Sequence, residues 1–140
     1  MQEFDKPAYY TVLSSGNLDD VNKELDLVNS SDIKQKWAYE GALQMRKAGL
    51  VKIPAEKLHF FKLGYIKLET AILNDRNNVE YRFLRLTIQE HAPHIVKYYR
   101  QIESDKEFII KGFKALPPVI QQVIVDYSKS SKILRPQDLT

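Results

Sequence analysis

Asn77-Asn78-Val79-Glu80-Tyr81-Arg82-Phe83-Leu84-Arg85-Leu86-Thr87-Ile88-Gln89-Glu90-His91-Ala92-Pro93 decides the fold. The stretch is punctuated as a helix at both ends. Asn77 offers an N-cap oxygen, and Glu80, three residues on, can reach back to the N–H of the cap. Pro93 has no N–H to donate and clashes with the turn before it, so the helix ends near Ala92. At about 100° per residue, Val79, Phe83 and Leu86 fall on one side and Tyr81, Leu84, Ile88 and Ala92 on the other. A helix that is apolar on two opposed faces lies between neighbours. Arg82, Arg85 and Gln89 line one of the seams left over, and Glu80, Thr87 and His91 line the other. The spacing predicts an all-α fold with a central, buried helix over 78–92.

The flanking sequence supplies helices of the same kind. Asp5 caps the first, Phe4 staples onto Tyr9, and Gly16 ends it in the left-handed conformation. Asn17 caps a second with a single stripe of Leu18, Val21, Leu25 and Val28. A third opens at Ser30-Ser31-Asp32 and stops at Gly49, with Ile33, Trp37, Leu43 and Met45 facing inward. Leu50-Val51-Lys52-Ile53 is a loop. The fourth and longest runs from Pro54 to Asn74. It carries a strong stripe (Leu58, Phe61, Tyr65, Leu68, Ile72) and a weaker one (His59, Leu63, Ile66, Leu73), so it too is expected to be covered on two sides. After the central helix and the connection His94–Gln101, a sixth spans 102–115, with Phe108, Ile109 and Phe113 buried. A seventh begins at Pro117-Pro118, its stripe being Val119, Ile120, Val123, Ile124 and Tyr127. Ile133 and Leu134 can dock, while residues 1–4 and 135–140 are expected to be loose. The whole reads as one helical domain over 1–140: about seven helices in a right-handed array of antiparallel hairpins.

The 140 residues are enough for a proper core, and the composition, 44% hydrophobic and 28% charged, is that of a folded chain. The absence of cysteine excludes disulfides, thiol catalysis and thiolate metal sites. No apolar run is long enough for a transmembrane helix, and the first residues carry no apolar signal segment. The chain as given reads as cytoplasmic; a signal removed ahead of Met1 would make it exported. Charge is uneven: residues 1–33 hold seven acids against Lys6 and Lys23, net −5, and the remainder holds 19 bases against 11 acids, net +8. An acidic first third that packs against a basic body accounts for this without a nucleic-acid partner.

The third and fourth helices resemble a tetratricopeptide pair. Trp37 and Gly41 match its large-then-small signature, Gly64, Leu68 and Ala71 its small, large, small second helix, and Ala71–Asn78 its helix ending. Arg76 replaces the usual proline, and the loop between the helices is about ten residues too long for the period. The likeness spans residues 32–115. The segment 78–93, with Asp105-Lys106-Glu107-Phe108-Ile109, also resembles a family of small, uncharacterised all-helical bacterial proteins, chiefly from Bacteroidetes. That resemblance implies a helical domain, often behind an export signal, and no catalytic residues.

Three clusters could carry chemistry. Arg82, Arg85 and Gln89, at i, i+3 and i+7, could grip a carboxylate or phosphate with their rigid donors. They could equally pair with Glu69, Asp75, Glu103 or Asp105 and lock neighbouring helices together. Glu90, His91 and His94 offer nitrogen and oxygen ligands, but Pro93 breaks the helix between the histidines and no metal site is expected. Tyr98 and Tyr99, interleaved with Lys97 and Arg100, could stack bases or dock on the core. No nucleophile elbow or P-loop occurs. The expected function is a non-enzymatic helical-repeat-like module that binds a protein or peptide, without cofactor, and able to pair as a homodimer. The alternative is a small-anion or carboxylate-binding domain built on the Arg82/Arg85/Gln89 seam.

Overall fold

A computed structural model describes residues 4–140, apart from the side chain of His94. Among these residues there are seven α-helices and no strand, so the chain is all-α. The helices are α1 (Lys6–Ser15), α2 (Leu18–Asn29), α3 (Lys36–Leu50), α4 (Pro54–Asn74), α5 (Val79–His91), α6 (Ile102–Gly112) and α7 (Pro118–Ser128). Short 3-10 turns stand at His94–Val96, Phe113–Ala115 and Pro136–Leu139. No helix among the described residues is long and apolar enough to cross a membrane. Within the span expected as one domain the chain divides into two compact units, Met1–Arg76 and Asn77–Thr140.

In the first unit the caps lie where side-chain chemistry puts them. Asp5 accepts from Ala8 N at 3.0 Å, Asn17 accepts from Asp20 N at 3.0 Å, and Gly16 turns the chain at φ 71°. The Tyr9 ring stacks on Tyr39 with centroids 4.1 Å apart, and its hydroxyl donates to the Tyr39 carbonyl at 2.9 Å. Arg46 Nε donates to Leu13 O at 3.1 Å, which satisfies a carbonyl left open at the end of α1. Between α3 and α4 the contacts are Glu40 with Lys67, Gly41 with Gly64 and Leu68, Lys47 with Phe60, and Ala48 with Lys57. Numbering therefore rises along α3 as it falls along α4. Gly41 and Gly64 let the two backbones touch.

Glu24 is buried in α2 at 6% exposure. Burial, and then the Asp5 carboxylate nearby, push its carboxyl above the ordinary glutamate value of 4.5. The folded state thus holds that proton more tightly than the unfolded chain does. Stability rises as pH falls through the raised value, and above it the charged group is a burden. Glu24→Gln is expected to raise the melting temperature by a few degrees at pH 7, with the gain shrinking towards pH 4.5. Thermal melts at several pH values check this.

Three expectations for this unit are corrected. First, α3 starts at Lys36, not at Ser30-Ser31-Asp32, because Ser31 turns its hydroxyl back to Val28 O at 2.7 Å and ends α2. Second, Trp37 consequently sits in the first turn of α3, 53% exposed, while Ala38, Tyr39, Ala42, Leu43 and Met45 fill the core. Third, α4 is covered on one side only. Gly64, Leu68, Ala71 and Ile72 are buried, whereas Leu58, Tyr65, Ile66 and Leu73 are exposed.

In the second unit α5 buries nine of its 13 residues, from Glu80 to Gln89, as expected of a central helix. Its cap is Asn78, which accepts from Tyr81 N at 3.0 Å, one residue later than the Asn77 expected. Val79 packs so closely on Gly112 that a Cβ there would lie 2.5 Å from Val79 Cγ2. Phe83 meets the edge of Tyr127 at 5.4 Å. Residues 135–140 are not loose. Asp138 accepts from Arg135 N at 2.9 Å, closing a 3-10 turn in which Leu139 is buried, and Leu134 just before it is buried as well. Except for Phe4, the expected loose residues 1–4 lie outside the described chain.

Candidate functional site

One turn and two turns of α5 separate Arg82, Arg85 and Gln89, so all three side chains project onto the first turns of α6. There they converge on one carboxylate, Asp105, which is 0% exposed. Arg85 grips it with both arms, Nε to Oδ2 and Nη2 to Oδ1, each 2.8 Å. Gln89 Nε2 donates to Oδ2 at 2.8 Å, and Arg82 Nη1 reaches Oδ1 at 3.4 Å. The Arg82 guanidinium also lies over the Phe108 ring at 4.6 Å. Gln89 uses its other amide atom as well, its Oε1 accepting from Gln101 N at 3.0 Å where α6 begins without a side-chain cap of its own. Asp105 was one of the four acids that sequence offered these residues. The donors that an anionic ligand would take are turned on the chain's own carboxylate.

At the far end of α5, Glu90 does similar work. It accepts from Tyr127 Oη at 2.7 Å, from Ser131 Oγ at 2.6 Å and from Lys132 N at 2.8 Å. Burial works to raise its carboxyl, but the three hydrogen bonds, with help from His91, outweigh burial and hold it below the ordinary 4.5. Burial and then Glu90 itself raise the Tyr127 phenol. Ser131 in turn accepts from Ile133 N and Leu134 N at 3.1 and 3.0 Å, so one carboxylate fastens the whole turn after α7. Sequence reasoning missed Tyr127 and Ser131 here. The run Ser128-Lys129-Ser130-Ser131 reads locally as a fraying end, and nothing in it points to an acid some 40 residues away.

Glu90→Gln is expected to cost roughly 1–2 kcal/mol, because a charged acceptor of three bonds becomes a neutral one. The carboxyl is depressed in the fold, so its contribution is present above pH 4.5 and is lost as pH falls through the lower folded value. Lower amide protection factors at Lys132, Ile133 and Leu134, in the variant or in acid, check both statements.

Of the remaining candidates, Glu90 and His91 meet at one hydroxyl, that of Tyr127. His91 Nε2 lies 3.2 Å from Tyr127 Oη, and the third member of its expected cluster, the His94 side chain, is outside the described residues. No group of three potential metal ligands occurs among the described residues. Tyr98 is 5% exposed and Tyr99 46%, so the two rings do not form one open platform. Lys97 between the 3-10 turn and Tyr98 has φ 55°. The chain matches no protein-family model, and no curated protein and no solved structure matches it.

Proposed function

We propose that the chain is a non-enzymatic, helical-repeat-like module that docks a protein or peptide. The observation that carries this reading is the outer side of α4, where Leu58, Ile66 and Leu73 are each more than half exposed and Tyr65 is exposed with them. Large apolar side chains gathered on one helix face and left in water favour an interaction surface over exposed residues scattered singly. The touching glycines of α3 and α4 support a tetratricopeptide-like reading of that pair, a fold whose faces hold peptides. Against the anion-binding alternative stands the Asp105 carboxylate already seated among Arg82, Arg85 and Gln89.

Affinity capture at low and high salt by the chain and by its Leu58→Glu/Ile66→Glu variant tests the reading. A species kept by the parent at high salt and lost by the variant is the expected result. Identical captured sets overturn it, since the α4 face would then hold nothing.

A further inference from the structure

The exposed side of α4 has an internal symmetry. Leu58, Lys62, Tyr65, Ile66, Glu69 and Leu73 fall within an arc of about 100° around the helix. Inverting this row about the Tyr65–Ile66 peptide exchanges Leu58 with Leu73 and Lys62 with Glu69. An apolar end meets an apolar end, and a cation meets an anion. That is the pattern an isologous two-fold contact needs, in which each residue faces the symmetry-related position of an identical partner. Leu58, Tyr65, Ile66 and Leu73 are exposed, Lys62 is exposed and Glu69 half-buried, so the row is presented to solvent. From Leu58 to Leu73 it runs about 22 Å at 1.5 Å per residue.

We infer that the partner of the α4 face is a second copy of this chain, with the two α4 helices packed antiparallel about a two-fold axis at Tyr65–Ile66. This rests on the interaction-module reading and names its partner. In the pair, Ile66 of one copy packs beside Ile66 of the other, and Lys62 of each faces Glu69 of its mate. The same row laid parallel would set Lys62 against Lys62 and Glu69 against Glu69, so charge selects the antiparallel arrangement. One helix against one helix buries less than the ~800 Å² per partner of a standard interface. The dissociation constant is therefore expected to be on the order of micromolar.

Sedimentation velocity on the full chain, from micromolar to millimolar concentration, tests the inference, with circular dichroism confirming that each variant is folded. The chain is expected to dimerise with concentration. Ile66→Glu is expected to weaken the dimer ~100-fold, since two carboxylates would meet at the axis. Lys62→Glu and Glu69→Lys are each expected to weaken it roughly tenfold, because each puts like charges in two places. Mixed together, these two single variants are expected to pair with each other at about parental affinity, since every facing position is then again opposite in charge. A chain that stays monomeric throughout, or a dimer indifferent to Ile66→Glu and Lys62→Glu, overturns the inference. A monomer whose captured partner is still lost on Leu58→Glu/Ile66→Glu overturns the second copy but keeps the docking module. If that capture is unaffected as well, both fall.

Discussion

Asp105→Ala is expected to lower the stability of the second unit by about 3–5 kcal/mol, measured as a shift in the urea midpoint followed by circular dichroism. Three donors, Arg85, Gln89 and Arg82, aim at a carboxylate that is 0% exposed. Removing it leaves guanidinium charge in a place that water does not reach, and an uncompensated buried charge is among the most damaging changes a fold can suffer. The converse change is the informative one. Arg85→Leu alone takes the two-armed partner from the carboxylate, leaving it Gln89 and Arg82, and is expected to cost less, while Arg85→Leu with Asp105→Leu is expected to cost clearly less than the sum of the two singles. A double variant as unstable as the sum of the two singles would mean that the ion pair is not what ties α5 to α6.

What could be read in the sequence, and what could not, divides along the range of the interaction. The caps at Asp5 and Asn17 and the turn at Gly16 depend on atoms a few residues apart, and they lie where the sequence puts them. The central helix was legible because two opposed apolar rows within one turn-spacing admit few other conformations. Trp37 was misplaced because its burial depends on where α3 starts, and Ser31 settles that by bonding back to Val28 rather than forward. On α4, Leu58 and Tyr65 of the strong stripe and Ile66 and Leu73 of the weaker one stand exposed where burial is expected, since periodicity reports that a face is apolar but not what covers it. Of the arginine seam, the spacing was legible and Asp105 stood among the candidate acids. The choice among them needed the packing angle of α6, which no local pattern contains. Glu90, which reaches Ser131 from the other end of the unit, belongs to the same class.

Gly64→Ala is the change expected to damage the first unit most. In a helix interior the exchange of glycine for alanine ordinarily helps by about 0.5–1 kcal/mol, through lost freedom of the unfolded chain. Here a Cβ would run into the Gly41 carbonyl oxygen and stand 2.8 Å from both Met45 N and Met45 Cγ. Two of those three atoms are backbone, so no rotamer change relieves the contact and α3 and α4 must move apart. Separation loosens Leu68, Ala71, Ala42 and Met45 at once, and a net loss of roughly 2–4 kcal/mol is expected. Gly49 is the internal control. It lies in α3 with nothing within 4 Å of its would-be Cβ, and Gly49→Ala is expected to stabilise by about 0.5 kcal/mol. Gly41→Ala meets Gly64 O and Leu68 N at 2.7 Å, so it too should destabilise. Once one alanine has forced the helices apart, the other has less left to displace, and the pair is expected to cost clearly less than the sum of the singles. Strict additivity in thermal or urea melts would mean that the two glycines do not share one crossing, and the close approach of α3 and α4 would lose its explanation.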